Sequence, residues 1–336
     1  MQLSGNNGRS NKRIQEVSTS FPSTTSTDSS ESVEEFLLDI PTRVHIPTNL
    51  TRHSIMNLSY LSEGSSATVF TGFLNGEKVA VKVSSQSNDC TEIDLEHHLL
   101  KRLFHSNIVQ IRGAGCSSSK FIVLEYLNGG SLNEYLEERR VIAPPQTKRS
   151  IFFYFKCKIA PTPFMKMKEV VSVATQIAQA LEYLHVSWHP NACIIHRDLK
   201  PHNIIISPTG VVKLIDFGLM ACVKKTTNIA EMYEMTGFVG SLRYMAPEVV
   251  NHRPYNEKVD IYSFGLIMWE LSTGKVPFDG MTRETYMEKV VKGGFRPSLK
   301  GIHSAMAELI SKCWDSNFLC RPSSGEVLAK LNSLKL

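Results

Sequence analysis

In the run His196-Arg197-Asp198-Leu199-Lys200-Pro201-His202-Asn203, a carboxylate and a side-chain amide stand five residues apart, after a long helical pattern. Thirteen residues beyond Asn203, the β run Val211-Val212-Lys213-Leu214-Ile215 ends in Asp216-Phe217-Gly218. Asp216 is therefore predicted at a strand end beside the same loop, with Gly218 permitting a sharp backbone turn. These are the groups that phosphoryl transfer asks of a protein: ligands for metal, a base that orients the attacking hydroxyl, and something to neutralise phosphate charge. A cation for the last task is available at Lys82, in Val79-Ala80-Val81-Lys82. Fourteen residues on, Glu96 shares a helix face with Leu100 and Leu103, and a glutamate on an apolar face needs a charged partner.

The elements that position these groups follow from periodicity. Val79–Val83 and Phe121–Leu124 are short apolar, β-branched runs bounded by turn residues, and are predicted strands. Between them Ile93, Glu96, Leu100 and Leu103 recur at helical spacing, with Asn107 closing the segment. Val170, Val173, Ile177, Leu181 and Leu184 trace one stripe of a long helix. Asp260–Leu271 is apolar nearly all round, which predicts a helix at the centre of a helical domain. Val327, Leu328, Leu331 and Leu334 make a last amphipathic helix. Strands first and helices afterwards predict an α+β chain of two lobes, the first mostly β and the second mostly α.

The chain has 336 residues, 42% of them hydrophobic, enough for a sizeable core. Its net charge of +5 fits anionic partners without itself indicating nucleic acid or membrane. Seven scattered cysteines with no CxxC pair make neither a disulfide framework nor a zinc site, which points to a reducing interior. Met1–Ser20 lacks the apolar core of a signal peptide, and no apolar run approaches the ~18 residues of a membrane span. A soluble, cytoplasmic protein is expected. Residues 1–33, rich in Ser, Thr and Asn, are expected to be a disordered tail, either carrying phosphosites or simply solvated. Residues 34–53 form a linker that either packs on the domain or docks a partner. Between 141 and 168, four prolines bracket an aromatic cluster studded with lysines. Such a piece can touch a membrane surface or a nucleic acid, but a surface insertion between helices is the commoner outcome and the one expected.

The loop around Asp198 and the Asp216-Phe217-Gly218 segment resemble the catalytic loop and metal-binding segment of eukaryotic protein kinases, and the likeness runs from about Ser54 to the C-terminus. It implies a bilobal kinase fold, with residues 54–127 as the first lobe and hinge and 128–336 as the second. It implies ATP and Mg²⁺ as cofactors and proteins as substrates, with no nucleic-acid partner. Carried over, Asp198 is the base, a role worth roughly 10²–10⁴ in rate. Asn203 and Asp216 hold Mg²⁺, and Lys200 sits near the transferred phosphate. Lys82 binds the α- and β-phosphates and is held there by an ion pair with Glu96. His105-Ser106-Asn107-Ile108-Val109 is similar to the turn that follows this helix in the family.

The nucleotide-covering loop departs most from the family pattern GxGxxGxV. Here Leu61 leads into Ser62-Glu63-Gly64-Ser65-Ser66-Ala67-Thr68-Val69. Ser62 and Ala67 replace the first and third glycines, so the loop is expected to be stiffer than average. The resemblance places adenine between Val69 and Ala80, adds Ile205 as a nucleotide contact, and makes Glu125 and Leu127, after a bulky Leu124, the hinge. Gly240-Ser241-Leu242-Arg243-Tyr244-Met245-Ala246-Pro247-Glu248 resembles the end of an activation segment. Glu248 is expected to pair with Arg321, and Asp260 to brace the catalytic loop.

Lys200, two residues after Asp198, is the serine/threonine signature, and Ser241 stands where a hydroxyl bonds the catalytic aspartate and lysine. Ser263-Phe264-Gly265, Trp269-Glu270 and the Gly240–Glu248 run resemble the tyrosine-kinase-like group, the Raf and mixed-lineage relatives. The expectation is a serine/threonine kinase of that group, with some tyrosine activity left open and a catalytically dead scaffold as the rival reading. In relatives with an arginine at the place of Arg197, a phosphate on the activation segment binds it and orders the loop. Thr226, Thr227 and Thr236 are the expected acceptors, served by an upstream kinase or by the chain itself, with Phe217 and Gly218 as further regulatory positions.

Overall fold

The computed structural model describes residues 40–64, 67–85, 91–142, 164–225, 232–233, 235, 237 and 240–334. The first lobe is an antiparallel sheet of β1 (Met56–Glu63), β2 (Ala67–Leu74), β3 (Glu77–Ser84), β4 (Ile111–Cys116) and β5 (Lys120–Glu125), in the spatial order β1-β2-β3-β5-β4. Asn75-Gly76 joins β2 to β3 with both residues at positive φ (52° and 84°), the geometry that lets a two-residue hairpin follow strand twist. Alternation along β3 sends Val79 and Val81 into a small core with Ile55, Leu74, Phe121 and Val123. Helix α1 (Thr91–Leu100) lies between β3 and β4, and its Leu99 and Leu100 join the main core of the molecule.

The sequence spacing carries this helix through Leu103, whereas the helix ends at Leu100. The chain tightens there into three-residue turns, the Arg102 N–H donating to the Leu99 carbonyl (2.9 Å) and the Leu103 N–H to the Leu100 carbonyl (3.2 Å). The Arg102 guanidinium donates to the His98 carbonyl (2.6 Å), and the Arg43 and Val44 N–H groups to the Lys101 carbonyl just beyond the helix (3.3 and 3.4 Å). Leu103 is still fully buried, so the apolar period outlasts the helix itself.

The second lobe follows with β6 (Gly130–Ser131), α2 (Leu132–Ile142) and α3 (Met167–Glu182), which runs on into a π-helical turn at Tyr183–Ser187. Then come β7 (Ala192–Ile195), β8 (Ile204–Ile206), β9 (Val212–Leu214), β10 (Ala221–Lys224) and α4 (Pro247–Val250). Helices α5 (Lys258–Thr273), α6 (Arg283–Tyr286), α7 (Ser304–Cys313) and α8 (Ser324–Ser333) complete it. Helix α5 is buried continuously from Val259 to Leu271, and Gly274 at φ 71° closes it in the left-handed conformation a helix end favours. A Cβ on Gly265 would lie 2.8 Å from Cys313 Cβ, so the missing side chain lets α5 and α7 pack closely. Helix α8 opens with a capping box, in which Ser323 Oγ accepts from the Glu326 N–H and Glu326 Oε2 accepts from the Ser323 N–H.

The architecture is the α+β, two-lobed one that the order of strands and helices predicts. Short sheets β6-β8-β9 and β7-β10 frame the loops of interest: His196–Asn203 spans β7 to β8, and Asp216 follows β9. No helix among the described residues is long and apolar enough to cross a membrane. The 1–33 tail, most of the 141–168 insertion, and Ser65, Ser66, Thr226, Thr227 and Thr236 lie outside the described residues.

Candidate active site

Two non-glycine residues, one in the loop between β7 and β8 and one just after β9, are left-handed: Arg197 (φ 66°) and Asp216 (φ 62°). Such conformations cost roughly 1–3 kcal/mol each and persist only where the surroundings enforce them. For Arg197 the enforcement comes from Asp260, buried on α5. Its carboxylate accepts from the His196 N–H (2.8 Å) and the Arg197 N–H (2.9 Å), and meets His185 Nε2 at 2.9 Å. Burial alone would raise the Asp260 carboxyl, but these partners hold it below the usual range. The Arg197 side chain spans to the start of the activation segment, donating to the carbonyls of Leu219 and Met220 and to the Tyr255 hydroxyl.

This scaffold presents the Asp198 carboxylate, which is buried. Its Oδ2 accepts from Lys200 Nζ (2.6 Å) and Asn203 Nδ2 (2.9 Å), and its Oδ1 from the Ser241 main-chain N–H (2.9 Å). The last contact corrects an expectation: the Ser241 backbone, not its hydroxyl, reaches Asp198. Gly240 makes the approach possible, since at φ 93° its Cβ would lie 2.7 Å from the Arg197 carbonyl and 3.0 Å from Asp198 Oδ1.

Asn203 ties this loop to the segment after β9, because its carbonyl accepts from the Ile215 N–H (2.9 Å), next to Asp216. The sharp turn there is made by Asp216 itself. Gly218, expected to supply it, is not left-handed, and a Cβ on it would meet nothing closer than 3.6 Å. Asp216 Oδ1 accepts from Lys82 Nζ at 2.7 Å, and Lys82 Nζ donates equally to Glu96 Oε2 at 2.7 Å. Glu96 Oε1 accepts from the Phe217 N–H (3.0 Å), and the fully buried Phe217 ring lies 5.0 Å from the His196 ring. Burial would lower the Lys82 ammonium, but Glu96 and Asp216 outweigh it and raise its pKa, so the amine stays charged. Burial would likewise raise Asp216, and the Lys82 charge holds it below the usual carboxylate range.

The positions expected on the adenine side are spread over three sheet pairings. Val69 pairs with Lys82 across β2 and β3, Ala80 pairs with Leu124 across β3 and β5, and Ile205 lies on β8 opposite Ser131. All three are half-buried. Leu61, Ser62 and Glu63 are exposed on β1, with Ser62 opposite Val69 and Glu63 opposite Thr68. The Gly64 N–H donates to the Ala67 carbonyl (2.8 Å), and Ala67 is buried. Where the hinge is expected, the Glu125 carboxylate accepts from the Gln110 N–H (2.8 Å) and Lys213 Nζ (2.6 Å), and the Leu127 carbonyl accepts from the Gly129 N–H (3.0 Å).

These residues suit a magnesium nucleotide. Among the described residues no cluster of three or more His, Cys, Asp or Glu could cage a metal by itself. Mg²⁺ commonly takes one or two protein oxygens and completes its shell with phosphates and water, and Asp216 with Asn203 offers that smaller set. Asp216 Oδ2 and Asn203 Oδ1 are not among the hydrogen-bonded atoms described above, while the partner oxygen and nitrogen are fixed by Lys82 and Asp198.

Sequence reasoning did not single out His185, and it named Lys213 and Gly240 without the contacts they make here. Lys213 carries a trace, being the polar residue between buried Val212 and Leu214 on β9. His185 carries none, because its partner is 75 residues away.

A family profile described as protein tyrosine and serine/threonine kinase matches residues 55–331. The chain is 37% identical over 290 residues to serine/threonine-protein kinase VIK of Arabidopsis thaliana, covering 83% of this chain and 60% of that one. It is 31% identical over 306 residues to serine/threonine-protein kinase STY46 of the same organism, covering 87% and 47%. It is 30% identical over 280 residues to mitogen-activated protein kinase kinase kinase 13 of Bos taurus, covering 83% and 25%. The chain spans roughly half the length of the first of these relatives it matches. With a matched profile that spans both lobes and encloses the whole Lys82–Glu96–Asp198–Asn203–Asp216 network, the chain belongs to the protein tyrosine and serine/threonine kinase family.

Proposed function

We infer that this chain transfers the γ-phosphate of Mg·ATP to serine or threonine hydroxyls of other proteins, as a cytoplasmic signalling enzyme. The observation that carries this is the pair of linked contact sets: Glu96 to Lys82 to Asp216, and, from Ile215 next to Asp216 in the chain, to Asn203 and Asp198. Lys82 would hold the α- and β-phosphates, and Asp216 with Asn203 would hold Mg²⁺, whose charge would offset that developing on the transferred group. Asp198 would accept the hydroxyl proton, its carboxylate already aimed by Lys200, Asn203 and the Ser241 N–H. Lys200 would remain beside the phosphate as it moves.

The test is a phosphotransfer assay with labelled ATP on degenerate peptides carrying Ser, Thr or Tyr acceptors. Label is expected on Ser and Thr peptides and is expected to vanish when EDTA removes the divalent ion. Tyrosine peptides belong in the array because one relative is named a serine/threonine/tyrosine-protein kinase and another a dual specificity protein kinase. A chain that binds ATP yet labels none of them would support the scaffold reading.

Activation by phosphorylation at Thr226, Thr227 or Thr236 is proposed on the position of Arg197, which already bridges the catalytic loop and the first residues of the segment. A phosphate carries about −1.5 to −2 charge and would add charge-assisted hydrogen bonds there. Replacing all three threonines by alanine is expected to lower turnover and abolish its stimulation by an activating kinase. Unchanged turnover would rule the switch out.

A further inference from the structure

The end of α1 is a meeting point for three parts of the chain. The buried Arg102 side chain donates from Nε to the Ile40 carbonyl (3.0 Å) and from Nη1 to the His98 carbonyl (2.6 Å). Beside it the Lys101 carbonyl receives the Arg43 and Val44 N–H groups, and the Arg102 carbonyl receives the Trp188 indole N–H from the second lobe (3.3 Å). Ile40 is itself buried in the main core.

From there the same segment crosses to β4, the edge strand of the sheet. The Leu50 N–H donates to the Ala114 carbonyl (3.1 Å) and the Ala114 N–H to the Pro47 carbonyl (2.9 Å), so the edge is covered from within the chain. Two glycines make room. A Cβ on Gly113 would lie 2.5 Å from Leu50 Cδ1, and one on Gly115 would lie 2.0 Å from the Leu50 carbonyl oxygen. Residues 40–55 are thus fastened at one end to the helix and at the other to the sheet.

Helix α1 carries Glu96, which holds both the Lys82 ammonium and the Phe217 N–H. A helix moves as a rigid rod, so freedom at its capped end would become displacement of Glu96. Resting on the phosphotransfer reading above, we propose that Ile40–Ile55 is a positioning strap for catalysis with Arg102 as its latch. It fixes the C-terminal end of α1 against β4 and so keeps Glu96 between Lys82 and the Phe217 amide.

The test uses the full chain with Arg102→Lys, which keeps the charge and alkyl stem but loses the guanidinium fork. Gly113→Val is the second variant, because every close neighbour of a Cβ there belongs to Leu50 or Pro47 of the strap. Each variant is expected to raise amide hydrogen exchange about tenfold at α1 and at Phe217 while the β2–β3 hairpin is unchanged. Each is expected to lower kcat about tenfold at constant KM for ATP, since fewer molecules hold the competent geometry. In a Glu96→Gln background the same changes should lower kcat by less than about twofold, because the contact they protect is already lost.

Free exchange at Arg43 and Leu50 with Phe217 still protected would overturn the proposal. So would an equal loss of kcat with and without Glu96. A wild-type chain that transfers no phosphate would instead refute the activity, and the exchange comparison would still decide the strap.

Discussion

Asp198→Asn is expected to lower kcat by about 10²–10⁴ while leaving the thermal midpoint within a few degrees of wild type. The substitution keeps size and shape but removes the carboxylate proposed to accept the hydroxyl proton. It also sets a conflict, because every group around the carboxylate donates: Lys200 Nζ and Asn203 Nδ2 to one oxygen, the Ser241 N–H to the other. The amide NH₂ must face one of these donors, so the side chain is left both non-basic and misaimed. Turnover on the best peptide, measured alongside thermal unfolding, separates this from a folding defect. Full turnover by the variant would remove Asp198 from the base role.

Glu248→Ala is expected to cost about 3–5 kcal/mol of stability, the usual penalty for leaving one member of a buried ion pair behind. Arg321 is fully enclosed. Its Nη1 and Nη2 donate to the two Glu248 oxygens at 2.5 and 3.0 Å, and it also reaches the carbonyls of Asp315 and Lys258. Its guanidinium carbon stands 5.0 Å from the Tyr262 ring. Without Glu248 the charge keeps those neutral partners but loses the carboxylate that pairs with it. At ~2–4 °C per kcal/mol for a domain of this size, the thermal midpoint should fall by roughly 10 °C. The double variant Glu248→Leu/Arg321→Met should be less destabilised than Glu248→Ala, because it removes the unpaired charge as well. Equal losses would show that packing, not charge, sets the cost.

The groups that the structure brings together around Asp198 were legible as candidates because they are local in sequence. Asp198, Lys200 and Asn203 fall within one short loop, and Asp216 follows a β run that ends where a strand should. The buried helix Lys258–Thr273 was legible from its unbroken apolar run, and the two lobes from the order of strands and helices. None of these readings needed a long-range partner.

Tertiary structure decided the rest, wherever an atom's partner is far along the chain. Periodicity could not end α1 at Leu100, because the turn that replaces it is held by the Arg102 fork on His98 and by Arg43 and Val44 on the Lys101 carbonyl just beyond it. Composition favoured Gly218 for the sharp turn, yet Asp216 makes it, while its own carboxylate is held by Lys82, 134 residues away. Residue type suggested that the Ser241 hydroxyl would meet Asp198, but Gly240 brings the main chain so close that the N–H arrives first. Amino-acid sequence thus determined which chemical groups are present and which face or loop carries them. Three-dimensional packing alone determined which donor meets which acceptor, because hydrogen bonds act over about 3 Å and periodicity along the chain says nothing at that range about residues a hundred positions apart.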